Sequence, residues 1–334
     1  MVKYFITGED MRTVQSERFA NLCWVDMVNP TDDEVDDVAE ASGVSEDMIK
    51  AALDEEEPAR TEFDEGNSMF VVDCPIIEES DGNDTYSTLP LAIIYNKRCI
   101  ITVSLKGNPV LKDFITGRIK VFCDKPVGFI LNFMYGNAKR FLYCLKQIDR
   151  KAHRVQAELE RTLKNGDILQ LLELENSLVY ISTSLNSNYR VHEKLSKVEA
   201  VATREDYRDL YDDMVIESSQ AIEMCRIYKD ILSVTMDAYG SVISNNANDN
   251  MKKLTVITIL LAIPTMIAGF WGMNVPVPWQ IQDGDASTIW FWVIIGVTFV
   301  LTAAVAFMLV KSMKFRPAAK RRHTKIKKRT GNNR

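Results

Sequence analysis

Side chains that carry oxygen or sulfur recur at steps of seven along one stretch: Glu223, Asp230, Asp237, Ser244, Met251, Thr258 and Thr265. Seven residues are close to two helical turns, so these positions share one face of a helix. Asn248, Leu254, Thr255 and Ala262 fall on the same face. The face is acidic first, then amide and thioether, then small hydroxyls set in an apolar run. One such helix cannot enclose a path. Several copies around an axis would stack the groups into rings of carboxylate, amide, thioether and hydroxyl. Carboxylate rings favour cations, and hydrophobic constrictions can gate by dewetting. The plainer alternative leaves the acids as solvated stalk charges and each threonine bonded to its own backbone.

The elements that must carry this face include a membrane. Leu254 to Trp271 holds no charge, and Ile289 to Val310 is an uncharged run of 22 residues. About 20 apolar residues span the hydrocarbon core as a helix. Lys252 and Lys253 sit at the inner end of the first run, where they can snorkel. From Lys311 to Arg334 there are eleven Lys or Arg and no acid, whereas residues 1–253 carry a net charge of −15. The positive-inside rule puts the tail in the cytoplasm, and two spans return the N-terminal part to the same side. The opening MVKYFITGED has no export signal, which agrees. The expected location is the plasma (inner) membrane, multi-pass, with both termini cytoplasmic. The loop 272–288 then faces outward, ringed by Trp271, Trp279, Trp290 and Trp292 as an aromatic belt.

Before the spans the chain changes character once. Residues 1–125 mix helical stretches with β-type runs, LCWVDM, SMFVVDCPII, LPLAIIY and CIITVSL. Thr31 and Glu34 form a capping box for a helix that Gly43 ends, and another helix runs to Leu53. The run Asp54–Glu57 reads as a solvated acidic face. Residues 126–250 are helical: one helix over 127–164 ended at Asn165-Gly166, a second capped by Asp167 and running to about Lys197, and a third from near Thr203 with no breaker before Pro264. A seam of Tyr207, Leu210, Met214, Ser218, Ala221, Cys225, Tyr228, Leu232, Thr235, Tyr239 and Val242 alternates steps of three and four. The third helix therefore continues as a stalk into the first span. The expected organisation is an α/β domain (1–125), a helical stalk (126–250), a first membrane helix (251–271), the external loop (272–288), a second membrane helix (289–310) and a basic tail (311–334). The six cysteines are scattered, with no CxxC pair, and are expected to be reduced. His153, His192 and His323 are expected at the surface.

At the outer end of the first span stands AGFWGMNVPVP. Gly272 can end the helix in the left-handed conformation, and Pro276 and Pro278 block its resumption. Asn274 can also offer an amide oxygen to an arriving ion. With Gly272-Met273-Asn274 between two C-terminal spans and a basic tail behind them, the sequence resembles the CorA family of magnesium channels. The segment WVDMVNPTDDEVDDVAEASGVSEDMIKAALDEEEPAR and the stretch QAIEMCRIYKDILSVTMDAYGSVISNNAN resemble the family's early pattern and its stalk.

The resemblance implies a homopentameric funnel with Gly272, Met273 and Asn274 as the external filter. It implies Asn248, Met251, Leu254, Thr258, Ala262 and Thr265 as pore-lining, with Met251 and Leu254 as the hydrophobic constriction and Asp230 and Asp237 as acid rings in the funnel. It implies closure by internal magnesium at acidic subunit interfaces, where Asp213 is the best-matched candidate with Asp209 and Asp212 beside it. Pro264 stands immediately before Thr265, one residue closer than in some relatives, so the kink there can differ. Magnesium prefers six oxygens and sheds water reluctantly, so neutral amides and hydroxyls suit passage of the hydrated ion. Apart from Mg2+ as cargo and regulator, no cofactor is expected. The basic tail suits anionic lipid, and no nucleic acid is expected. No GxxxxGK[ST] loop, HExxH motif or nucleophile–base set is present, so an enzyme is not expected. The competing readings are a transporter of cobalt, nickel or zinc and a non-transporting membrane-anchored scaffold. Met273 and the lack of soft ligands argue against zinc.

Overall fold

The computed structural model describes residues 1–8, 13–64, 66–80, 83–162, 165–273 and 287–314. Seven strands form one mixed sheet: β1 (Val2–Thr7), β2 (Thr13–Ser16), β3 (Cys23–Val28), β4 (Arg60–Asp64), β5 (Asn67–Ser80), β6 (Asn83–Tyr95) and β7 (Cys99–Ser104). The order is β2-β1-β3-β7-β6-β5-β4. Among the described residues only β3 and β7 pair in parallel, with Trp24 opposite Ile100 and Asp26 opposite Thr102. The four apolar runs seen in the sequence are β3, β5, β6 and β7. The two-stranded edges β1–β2 and β4 escaped the sequence reading because they are short or partly exposed and lack a continuous apolar run.

Alternation along the strands gives the sheet two apolar faces. Cys23, Val25, Met27, Met69, Val71, Ala92, Ile94, Ile101 and Val103 meet Val35 and Val38 of α1 (Asp32–Ser42) and Met48 and Ile49 of α2 (Glu46–Lys50). Trp24, Phe70, Val72, Leu91, Ile93 and Ile100 meet the opposite layer: α3 (Pro109–Ile115), α4 (Pro126–Thr162) and the end of α5 (Asn165–Leu195). The result is a helix–sheet–helix sandwich. The capping box on α1 is present, with Glu34 N donating to Thr31 Oγ1 at 3.3 Å and Thr31 N donating to Glu34 Oε2 at 3.0 Å. Gly43 ends α1 at φ 76°, a left-handed conformation that costs a glycine little.

The polar pair in Trp24-Val25-Asp26 has a packing role. Trp24 Nε1 donates to Thr102 Oγ1 at 2.9 Å, and Thr102 Oγ1 donates to Asp26 Oδ1 at 2.9 Å. The chain of bonds locks β3 to β7 in the parallel register. Burial raises the Asp26 carboxyl, and the Thr102 bond partly offsets that.

Beyond α5, a short α6 (Glu199–Thr203) precedes α7 (Glu205–Trp271), and α8 (Ser287–Lys314) follows. The α4–α5 junction differs from expectation. Asn165 and Gly166 open α5 and Asp167 lies in its first turn, where an acid complements the helix dipole. The seam on α7 is the packed face: Met214, Ser218, Ala221, Cys225 and Leu232 are buried. Ala221, Cys225 and Leu232 join Leu145, Ile148 and Leu159 of α4 and Leu171, Leu178 and Ile181 of α5, while Met214 packs in the sheet-side core with Trp24 and Phe129. Cys225 Sγ donates to Leu178 O at 3.4 Å and Tyr239 Oη to Gln156 O at 3.4 Å. All six cysteines are buried and free. Burial pushes Cys144 and Cys225 up to about 11, so they are protonated at neutral pH.

The chain divides into two compact units, Met1–Tyr239 and Gly240–Arg334. In the second, the end of α7 and the stretch Phe291–Leu309 are long and apolar enough to cross a membrane, and neither apolar stretch is buried. Leu261 is 67% exposed, Phe299 74% and Phe307 72%. A core hairpin of a soluble protein would bury such side chains, whereas lipid accommodates them.

Candidate functional site

On the end of α7, Asn248, Met251, Leu254, Thr255, Thr258, Ala262 and Thr265 are all exposed. At 100° per residue they fall within roughly 120° of arc. The threonines do bond to their own backbone: Oγ1 of Thr255, Thr258 and Thr265 donates to the carbonyls of Met251, Leu254 and Leu261 at 2.9, 2.9 and 2.8 Å. That bond uses each hydroxyl proton and leaves oxygen lone pairs available. A hydrated cation presents only O–H donors, so acceptor oxygens are what it needs. Self-satisfaction and ion handling are therefore compatible in the same side chain. Met251 and Leu254 are each 65% exposed, which leaves two flexible apolar groups unpacked on this face.

Pro264 lies inside α7 and has no N–H, so the Leu260 carbonyl gains no bond from position 264. The helix nevertheless continues to Trp271, and Gly272 N donates to Ala268 O at 2.9 Å. Gly272 thus closes an ordinary helical turn; its φ is not in the left-handed range expected from sequence. Met273 is exposed. Asn274 lies outside the described residues, as do Trp279, the two prolines of the loop, His323 and the basic tail beyond Lys314.

Further down α7, Glu223, Asp230 and Asp237 are exposed. The acidic stripe contains a base that sequence reading passed over. Arg226 donates to both carboxylate oxygens of Glu223, at 2.8 and 3.2 Å, and lowers that carboxyl. Arg226 also feels Asp230 one turn on. The spacing Glu223, Arg226, Asp230, at three and four residues, was the available signal. Glu223 is thereby neutralised at the surface. Asp209, Asp212 and Asp213 are exposed near the start of α7. Among the described residues no three His, Cys, Asp or Glu side chains converge as a metal site.

Two groups away from the stripe are electrostatically distinctive. His192 on α5 is buried and its Nδ1 has no partner, which corrects the expectation of a surface histidine. Burial pushes it down to about 4, so it is neutral at physiological pH. It sits on an apolar face of α5 that packs in the core, and its own residue type gave no signal of that. His153 is exposed and pairs with Asp149 at 3.5 Å. Asp73 on β5 is pushed up to about 6 by burial, offset in part by a Ser184 hydrogen bond. Its backbone N–H and C=O are both bonded by Asn188 at 2.8 Å, and Asn137 Nδ2 adds a bond to the same carbonyl.

A helix–sheet–helix domain, a long helix with a packed seam and a separate polar face, and two unburied apolar helices at the C-terminal end define a two-span integral membrane protein. The chain belongs to the CorA-like Mg2+ transporter protein family, which matches residues 19–320. It is 26% identical over 258 residues to the cobalt/magnesium transport protein CorA of Methanocaldococcus jannaschii, covering 76% of this chain and 80% of that one. Its identity to the protein of the same name from Thermotoga maritima is 27% over 254 residues, covering 72% and 70%. The fold matches the complete structure of the CorA magnesium transporter from Methanocaldococcus jannaschii with a TM-score of 0.74 at 19% identity, over 95% of this chain and 98% of that one. The full-length CmaX protein matches with a TM-score of 0.65 at 14% identity, over 91% and 97%.

Proposed function

We propose that this protein is a homo-oligomeric, in all a homopentameric, channel that admits Mg2+ to the cytosol across the plasma membrane, driven by the membrane potential. The observation that carries the reading is the unburied face of α7 that presents Asn248, Met251 and Leu254, then the hydroxyls of Thr255, Thr258 and Thr265. Family membership and the names of the two relatives supply the ion. Repeated about an axis, Asn248 would form an amide ring at the inner end, Met251 and Leu254 the gate, and Thr258, Ala262 and Thr265 the wet wall. Gly272, Met273 and Asn274 would form the outer collar, where neutral amides hold the hydrated ion without trapping it. Asp230 and Asp237 would concentrate cations below the gate. Both termini would be cytoplasmic, with the basic tail against anionic headgroups.

A divalent ion gains roughly 4–5 kcal/mol per 100 mV on entering. Internal Mg2+ bound between subunits at Asp213, with Asp209 and Asp212 nearby, would hold the stalks together; without it, carboxylate repulsion would loosen them. The test is Mg2+ flux into liposomes. Asn274→Ala should cut flux by about tenfold or more while leaving the oligomer intact, and wild-type flux from that variant would remove the collar from the mechanism. Neutralising Asp213 should blunt inhibition by internal Mg2+.

Cobalt is the second reading, because both relatives carry cobalt in their names. Cobalt hexammine mimics the hydrated ion and cannot shed its ligands. Block of Mg2+ uptake by it supports recognition of the hydrated form.

A further inference from the structure

At the start of α4, a cavity of about 170 Å3 is lined by Lys120, Lys125, Gly128, Arg204, Asp206 and Tyr207 among others. Three cations face one acid there, in a domain whose overall charge is strongly negative. The acid, Asp206, lies 3.9 Å from Arg204 at the exposed rim. Two of the cations also lie over aromatic rings. Lys125 Nζ lies 4.6 Å from the Phe122 centroid and Arg204 Cζ 4.3 Å from the Tyr207 centroid. Cation–π contacts of this kind position a cation and leave its N–H donors available.

Two helices also begin at this cavity. α4 starts at Pro126, directly after Lys125, and α7 starts at Glu205, directly after Arg204. Pro126 has no N–H and Phe129 N donates to Lys125 O, so the amides of Val127 and Gly128 are those left over at α4; at α7 Tyr207 N and Arg208 N already donate to Arg204 O, which leaves Glu205 and Asp206. Lys125 precedes α4 without a side-chain oxygen to cap it. Gly128 has a packing reason to be glycine: a Cβ there would come within 3.2 Å of the Tyr207 ring, so its absence lets the ring lie against the first turn of α4.

We propose that this cavity binds the phosphate groups of a small soluble anion, such as a polyphosphate or a nucleotide. Lysine ammonium groups, a guanidinium fork and helix-start amides are the donor set that phosphate oxygens accept from. The volume exceeds what a single water needs and leaves room for more than one phosphate oxygen. The ligand would bridge the starts of α4 and α7. The inference does not depend on which ion the membrane helices conduct.

The test is calorimetric titration of the full-length protein in detergent, in chelator-treated buffer, with inorganic phosphate, pyrophosphate and ATP as probes. Saturable binding at one site per chain is expected for at least one of them, weakening as salt is raised. Lys125→Ala should weaken it by about tenfold and the Lys120→Ala/Lys125→Ala pair by more, because each removes a charged hydrogen bond. Both lysines are exposed, so the fold should survive, and Lys146→Ala, an exposed change elsewhere on α4, should bind as wild type. Tighter binding of ATP than of pyrophosphate would identify a nucleotide; equal affinity would identify the phosphates alone. No saturable binding by any probe, or unchanged affinity in the double variant, overturns the proposal.

Discussion

Arg226 shows how a single residue tempers an otherwise acidic face. It neutralises Glu223 and faces Asp230, so the charge offered to a cation near there is smaller than the carboxylates alone suggest. Arg226→Gln is expected to raise cation flux at low ionic strength. The gain should fade toward 1 M salt, where the screening length falls to about 3 Å, and flux measured at two salt concentrations checks this. Asp73 is a residue-scale cost of a different kind. Its folded carboxyl is raised above the unfolded value by burial, so the folded state binds more protons between about pH 4 and pH 6. Stability from this group is therefore fullest below the unfolded value and is lost as pH rises through 6, by an amount on the order of 2–3 kcal/mol. Asp73→Asn should raise the melting temperature at pH 7.5, and the difference from wild type should shrink at pH 4.5. His192 acts in the opposite sense. Its lowered value means stability is lost as pH falls from 6.5 toward 4.

Among the elements, α4 is the one on which the soluble unit turns. Its first half covers the sheet and its second half packs on α5 and α7. The covering half depends on Gly136, where a Cβ would stand 2.7 Å from Val110 Cγ1 of α3. Val110 is buried and β-branched, so it has little room to turn away. Gly136→Ala should destabilise by about 1–3 kcal/mol even though alanine is the better helix former, and adding Val110→Ala should recover part of that loss in thermal unfolding. The elements legible in sequence were those with strong periodicity or a cap: α1 from Thr31, Glu34 and Gly43, the four apolar strands, and the seam of α7. β1, β2, β4 and α3 were missed because short edge elements take their stability from neighbours remote in sequence. The α4–α5 junction was misplaced because Gly166 is tolerated in a first helical turn beside Asp167 as well as at a helix stop.

For the whole molecule, the proposed route through the bilayer needs no nucleotide, only a potential acting on a double charge. Liposomes carrying the protein should take up Mg2+ when a potassium diffusion potential is set negative inside. Collapsing that potential should reduce uptake about tenfold or more at fixed Mg2+ gradient, since the lost drive is several kcal/mol. Uptake indifferent to the potential would argue for an exchange mechanism instead.

The proposed pore face lies on one helix, so its spacing is readable from sequence alone. A face repeated every seven residues is fixed by helical geometry alone, and so are two uncharged runs with a basic tail behind them. Sequence by itself therefore determined the two long apolar runs, the polar face and the family likeness. Tertiary structure decided what lies far apart along the chain: the parallel pairing of β3 with β7, the burial of His192, and the convergence of Lys120, Lys125 and Arg204. Those features depend on segments up to roughly eighty residues apart meeting in space, and no local spacing encodes such a meeting.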